Sequence, residues 1–261
     1  MKLFDAHNHL QDDRLKNFRD KELKALARDS NYQMVVNGTS PDDWCQVSQL
    51  AEDYPDLVLP SYGLHPWKVQ GVVDDWFGQL EERVLSSSFK AVGECGLDRW
   101  IKPSRLEFED QMQCFCLQLD LAAQQNLPIT VHCLQATGAL LAVLKQRVLP
   151  ERGVLLHSFS LNREVLRELA RYPVYFSVSP YFFHPRKVGV LEVFKEVDPA
   201  RLLLETDAPD MAGPSLHFQG FMDEESPHKP TSIETLYQLA ERYFELPQQQ
   251  FLQNSRNYFA T

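Results

Sequence analysis

Short apolar runs rich in β-branched residues recur along the chain, separated by longer stretches whose apolar positions return every three to four residues. That is the pattern of parallel strands joined by helices. Eight such runs stand out: Leu3–His7, Gln33–Gly38, Val58–Gly63, Ala91–Cys95, Ile129–His132, Val154–His157, Val174–Val178 and Leu202–Thr206. Each is too short for a typical helix and is bounded by polar or turn residues. Helical spacing predicts helices over Ser104–Gln125, Ala136–Arg147, Asn162–Arg171 and Arg186–Val197, and Ser40-Pro41-Asp42-Asp43 before Trp44 reads as a helix cap with an acidic first turn. Ala208–Lys229 carries repeated Pro and Gly without a period, which predicts a long loop that is a lid, a binding loop or partly disordered, with a lid over the barrel mouth as the expected reading. Helical periodicity resumes over Pro230–Glu245 and Gln248–Phe259.

Eight strands alternating with helices predict an α/β fold, a TIM-like (β/α)8 barrel, regular or distorted, with residues 1–261 forming a single domain. In such a barrel the strand ends and the loops after them build one site at the C-terminal face. The alternative is an open doubly wound sheet, which would not bring the ends of the first and eighth strands together.

Composition narrows the function classes. With 261 residues, 44% hydrophobic, 24% charged, and only 11 Gly and 16 Pro, the chain is neither disordered nor collagen-like nor a disulfide miniprotein. A net charge of −10 repels polyanions, so it gives no support to broad nonspecific coating of nucleic acid, and a phosphate-bearing substrate needs a local positive site. Cys45, Cys95, Cys114, Cys116 and Cys133 are odd in number and lack zinc-type spacing, and the residues MKLFDAHNHL do not read as a basic stretch followed by an apolar run. The expectation is a reduced, cytoplasmic protein with no membrane segment and no obligate protein partner.

The chemistry sits at the strand ends. Asp5-Ala6-His7-Asn8-His9 closes the first run, and two-residue periodicity directs Asp5, His7 and His9 to one side and Ala6 and Asn8 to the other, so two imidazoles converge. Later strands supply Glu94, His132, His157 and Asp207 at or just past their C-terminal ends. A strand-end His alone is more often a structural hydrogen-bonding residue; the set together points to a metal centre. Four imidazoles and two carboxylates exceed what one tetrahedral ion needs, so two divalent ions are expected, able to polarise a phosphoryl or carbonyl oxygen and to activate water. The expected assignment places His7 and His9 on one ion, His132 and His157 on the other, Glu94 as the bridge, and Asp207 near the first ion and the attacking water. Asp5 is expected to orient a ligand from behind. Mixed N/O ligation suits Zn, Mn, Fe, Co or Ni, whereas Mg prefers oxygen-rich sites.

These motifs together resemble the TatD-type metal-dependent deoxyribonucleases of the amidohydrolase-like barrel superfamily over essentially the whole chain. The similar stretches are Asp5–His9, Gly63-Leu64-His65-Pro66, Gly93-Glu94-Cys95-Gly96-Leu97-Asp98, Val131-His132, His157-Ser158-Phe159-Ser160 and Glu205-Thr206-Asp207-Ala208-Pro209. The resemblance implies divalent-metal-dependent cleavage of DNA phosphodiesters, commonly from the 3′ end; Asp207, Glu94 and His65 are the expected catalytic residues. Departures from the family pattern are Arg99-Trp100 where many relatives have Tyr, Cys133-Leu134-Gln135 after His132, Leu161 where a Gly is expected, and His228-Lys229-Pro230 in place of Asn-x-Pro. They spare all six expected ligands and bear on substrate contacts.

Around the centre, His65 either meets the scissile phosphate or leaving group, as the resemblance favours, or stabilises its own turn. Arg99, Lys102, Arg186 and Lys187 are candidate phosphate contacts, the alternative being solvated charge. Trp67, Trp100, Tyr181 and Phe182 either stack on a frayed base or pack their loops. Cys95 and Cys133 alternate away from Glu94 and His132 and read as small core residues. Two other functions compete with the nuclease. One is hydrolysis of a small phosphoester, amide or lactone, against which Glu94 stands where many such relatives carry a carboxylatable Lys; the other is a nonenzymatic metal-stabilised binding barrel.

Overall fold

The computed structural model describes residues 2–29, 31–218 and 228–260. Strands β1 (Leu3–Asn8), β2 (Tyr32–Asn37), β3 (Val58–Ser61), β4 (Val92–Asp98), β5 (Ile129–Leu134), β6 (Val154–Leu156), β7 (Val174–Val178) and β8 (Leu202–Leu204) fall on the eight expected runs. Between them come α1 (Lys16–Asp29), α2 (Pro41–Asp53), α3 (Trp76–Ser86), α4 (Arg105–Gln125), α5 (Thr137–Gln146), α6 (Arg163–Leu169) and α7 (Val188–Phe194). Helices α8 (Ile233–Phe244) and α9 (Gln248–Phe259) close the chain. Two of these were not singled out in the sequence. Helix α1 is so rich in charge that its apolar period is faint, whereas the buried Trp76, Leu80 and Val84 of α3 recur every fourth residue and offered a usable signal. Of the expected lid, residues 219–227 lie outside the described residues, and 208–218 run as turns and bends without helix or strand.

Hydrogen-bonded strand neighbours run in the orders β1-β2-β3 and β4-β5-β6-β7-β8, with β1–β2, β4–β5, β5–β6 and β7–β8 parallel, and a parallel bridge from Tyr62, just past β3, reaches Val92 of β4. The chain packs as two compact units, one of Met1–Val36, Gln49–Leu59 and Phe176–Thr261, the other of Asn37–Ser48 and Pro60–Tyr175.

In the first unit the ends of β1 and β8 are tied by backbone hydrogen bonds: Asp207 N–H donates to the His7 carbonyl at 2.9 Å and His9 N–H to the Ala208 carbonyl at 2.8 Å. An open doubly wound sheet would leave those ends apart, so this pairing decides for the barrel-type connection. The C-terminal helices hold the same strands from outside. The buried Tyr237 hydroxyl of α8 donates to the Phe4 carbonyl at 3.0 Å, and the Asn254 amide of α9 donates to the Leu202 carbonyl at 2.7 Å. Phe4 stacks on Phe259 with centroids 5.5 Å apart.

In the second unit α4 begins at a capping box: Ser104 accepts from Glu107 N–H, and the Glu107 carboxylate accepts from Ser104 N–H. Its inner face buries Phe108, Phe115, Leu119 and Ala122, interrupted by two glutamines seven residues apart. Gln118 accepts from Leu64 N–H at 2.7 Å and donates to the Leu64 carbonyl at 3.2 Å, while Gln111 accepts from Asp98 N–H at 2.9 Å. The helix therefore fixes, by polar bonds in a dry environment, the backbone just before His65 and the end of β4.

Close strand approach around Glu94 depends on glycine. At Gly96, φ is +136°, and a methyl group there would lie 1.9 Å from the His132 carbonyl oxygen. Both terms oppose a side chain, so Gly96→Ala is expected to destabilise the protein by about 3 kcal/mol or more. A urea unfolding midpoint equal to wild type would show that β5 yields freely at this point.

Candidate functional site

Each unit contributes a histidine–carboxylate group, the first at the ends of β1 and β8 and the second around β4 and β5. Glu94 and His132, expected at or past their strand ends, lie inside their strands because β4 runs on to Asp98 and β5 to Leu134. In the first unit, His7 at the end of β1 is fully buried and His9 lies just past it. Their Nε2 atoms are 3.2 Å apart, and Asp207 Oδ1, three residues beyond β8, lies 3.3 Å from the first and 3.6 Å from the second. Donors about 2.1 Å from a tetrahedral cation stand ~3.4 Å from one another, so this triangle matches a ligand set. Asp207 reaches it in the left-handed backbone conformation, φ +51°, which Asp tolerates better than most residues.

Asp5 supports this group through the backbone. Its carboxylate accepts from Thr206 N–H at 2.8 Å, the Thr206 hydroxyl at 2.6 Å, His7 N–H at 3.3 Å and the Asn8 amide at 3.0 Å. It thereby braces both the strand carrying His7 and the residue before Asp207. Asn8, expected on the opposite face, meets Asp5 because the β1–β2 register shifts between Asp5 and Asn8, breaking the two-residue alternation. Burial pushes the Asp5 carboxyl up to about 7, against the lowering effect of the Thr206 and Asn8 hydrogen bonds.

In the second unit Glu94, 2% exposed on β4, is the hub. Its Oε1 lies 2.8 Å from His157 Nε2, 3.2 Å from His132 Nδ1 and 3.2 Å from His65 Nε2, and the two facing nitrogens of His132 and His157 are 3.4 Å apart. Burial alone would raise the Glu94 pKa; the His65 and His157 charges, with hydrogen bonds from His132 and His157, outweigh it and hold the carboxyl well below its usual range. The mixed imidazole–carboxylate chemistry and the spacing again suit a divalent cation of the Zn, Mn or Fe type.

His65 has two contacts at once. Its Nδ1 accepts from Trp67 N–H at 3.2 Å and so stabilises its turn, while its Nε2 faces Glu94. The turn-stabilising bond is one of the two roles expected from the sequence; the contact with Glu94 was not expected. Asp98, present in the sequence only as the last residue of a family-like stretch and without a role, has one in the structure: its Oδ2 lies 2.9 Å from His132 Nε2 and accepts from Trp67 Nε1–H at 2.7 Å. A carboxylate there fixes the His132 tautomer with Nδ1 as the donor toward a metal. Burial would raise the Asp98 pKa, but the His132 and Trp67 hydrogen bonds lower it; for His132 burial lowers the pKa, and its bonds to Asp98 and Glu94 raise it. The signal for Asp98 was available, since Glu94 and Asp98 are four residues apart on one strand and share a face.

The peripheral residues divide. Arg99 lies over the Phe108 ring, 3.7 Å from its centroid, and Arg186 and Lys187 stand 5.1 and 5.0 Å from that of Tyr181. Phe182 is fully buried against Phe194, so it is a core side chain rather than a stacking surface for substrate. Cys95 and Cys133 are buried as expected, and burial raises both thiols, Cys133 to about 12, so neither is a nucleophile at neutral pH. No helix among the described residues is long and apolar enough to cross a membrane.

The family model described as TatD related DNase matches residues 4–260. The chain belongs to the TatD family. A curated relative named 3′-5′ ssDNA/RNA exonuclease TatD, from Edwardsiella piscicida, is 32% identical over 193 residues, 72% of this chain and 72% of the relative. The Escherichia coli K12 protein named uncharacterized metal-dependent hydrolase YjjV is 30% identical over 221 residues, 84% of this chain and 83% of that protein. The crystal structure of YjjV, described as a TatD homologue, matches with a TM-score of 0.85 at 26% identity, covering 99% of this chain and 98% of that one. An uncharacterized amidohydrolase from Saccharomyces cerevisiae shares the fold at a TM-score of 0.74 and 16% identity. The fold is thus the α/β barrel type shared by TatD and amidohydrolase proteins.

Proposed function

We infer that this TatD-family chain is a metal-dependent hydrolase acting as a nuclease, one that releases nucleotides from the 3′ end of single-stranded DNA or RNA. The observation carrying this reading is the ligand-like spacing of two histidine–carboxylate groups in a chain matched by the family over residues 4–260. It rests also on relatives named as 3′-5′ ssDNA/RNA exonucleases and as metal-dependent hydrolases. Hydrolysis of a small phosphoester, amide or lactone, and metal-stabilised binding without turnover, have no comparable support in those names.

His7, His9 and Asp207 would hold one divalent ion; Glu94, His132 and His157, with His65 beside Glu94, would hold a second. Bound there, divalent ions supply electrophilic stabilisation of a phosphoryl oxygen and a lowered pKa for water. Asp207 orients the attacking water and accepts its proton. Asp98 keeps His132 in the ligating tautomer, and Asp5 keeps the His7 and Thr206 backbones in place. His65 contacts the scissile phosphate or leaving group, and Arg99 and Arg186, each held over an aromatic ring, meet backbone phosphates.

The test is digestion of end-labelled single- and double-stranded DNA and RNA after reconstitution with Mg, Mn, Zn, Co, Ni or Fe, with product termini identified and small phosphodiesters, amides and lactones assayed in parallel. Mononucleotides released progressively from the 3′ end of single strands, and abolished by chelator, are the expected result. Turnover of a small phosphoester, amide or lactone by protein that leaves every nucleic acid intact would move the assignment to the small-molecule class.

A further inference from the structure

The chain has four tryptophans, and their burial divides them in two. Trp44 and Trp76 are core residues at 1% and 8% exposure, whereas Trp67 and Trp100 are 52% and 57% exposed. The two exposed indoles lie nearly parallel, 28° apart with centroids separated by 6.4 Å. Leaving so much aromatic area in water is unfavourable at about 25 cal/mol per Å², so such a pair calls for a reason other than packing.

Neither tryptophan is loosely attached. Trp67 donates its ring Nε1–H to Asp98 Oδ2 at 2.7 Å and its backbone N–H to His65 Nδ1 at 3.2 Å. The other Asp98 oxygen accepts from Trp100 N–H at 2.6 Å and Ile101 N–H at 3.2 Å. One carboxylate therefore anchors both tryptophans and His132. The Trp67 ring sits edge-on to His65 with centroids 5.2 Å apart, and 6.3 Å from the His132 ring. A ring fixed at one edge, exposed on the other and one ring-width from the hydrolytic histidines is pre-ordered for stacking, which is favourable for every base because each has a π-face. A duplex end offers only the outer face of its last base pair and brings the partner strand with it, whereas an unpaired base can be laid on the ring beside the hydrolytic histidines without breaking a pair.

We propose that Trp67 and Trp100 form a stacking platform for the unpaired nucleobase next to the scissile phosphate, and that this platform sets the preference for single-stranded ends. The proposal rests on the nuclease reading above. Trp100 is the residue to test, since its side chain is more than half in water and its removal leaves the Asp98–His132 contact in place.

The experiment compares wild type, Trp100→Ala and Trp100→Phe on a single-stranded oligonucleotide with an ordinary 3′ nucleotide and on the same oligonucleotide ending in an abasic residue. Trp100→Ala should raise KM for the ordinary end about 5- to 100-fold with kcat little changed, Trp100→Phe should restore most of the loss, and all three proteins should treat the abasic end alike. A second readout needs no turnover: in chelator, oligothymidylate should quench wild-type tryptophan fluorescence and quench Trp100→Ala far less. Equal KM values for wild type and Trp100→Ala on the ordinary end, or an equal loss on the abasic end, would overturn the platform while leaving the nuclease reading intact. A wild-type protein that cuts neither oligonucleotide would overturn both.

Discussion

Asp207→Asn is expected to lower nuclease turnover by roughly 10²- to 10⁴-fold without unfolding the protein. The carboxylate oxygen that stands 3.3 and 3.6 Å from the His7 and His9 Nε2 atoms becomes part of a neutral amide, a weaker ligand and a poor proton acceptor. Structure should survive for two reasons. Asn is nearly isosteric with Asp, and it shares with Asp an unusual tolerance for the left-handed conformation Asp207 adopts, so neither volume nor backbone is disturbed. The hydrogen bond from Asp207 N–H to the His7 carbonyl is untouched. The measurement is single-turnover digestion of end-labelled DNA by metal-loaded protein, with circular dichroism melting as the folding control. A variant that melts and cuts like wild type would remove Asp207 from the mechanism.

Glu94→Gln is expected to be comparably severe and to act through metal content. One oxygen of Glu94 lies within 2.8 to 3.2 Å of three imidazole nitrogens. An anion at that position is what lets a buried cluster of histidines retain a dication, since a doubly charged ion surrounded only by neutral donors stays uncompensated in a dry site. With Gln, the amide offers either a neutral oxygen or an NH₂ that competes for the imidazole lone pairs. The loss should appear as about one divalent ion fewer per chain by elemental analysis, accompanied by a drop of at least about 100-fold in turnover. Full metal content at wild-type rate would show that the three histidines hold their ion without this carboxylate.

The eight strands were legible in the sequence because parallel strands are buried on both faces and read as short, nearly continuous apolar runs. His7, Glu94, His132, His157 and Asp207 were legible for the same reason: each is a titratable side chain at the point where such a run stops. What escaped was whatever depends on partners far apart in the chain. Helix α1 folds with too few apolar residues to show its period, and Gln111 and Gln118 of α4 look like surface residues until the backbones of Asp98 and Leu64 are placed against them.

Sequence alone therefore determined the order of elements, which strands and strand-following loops carry the chemistry, and the donor types, since these follow from local periodicity and from which side chains interrupt it. Tertiary structure decided how those donors are used. A register shift in β1 put Asn8 on the side of Asp5, and the end of β8 brought Thr206 to the same carboxylate. The close passage of β4 and β5 put Asp98 behind His132, and the turn after His65 let one ring both cap its loop and face Glu94. Such pairings are set by hydrogen-bond geometry at distances of about 3 Å between residues up to 201 positions apart, and no pattern within a single segment encodes them.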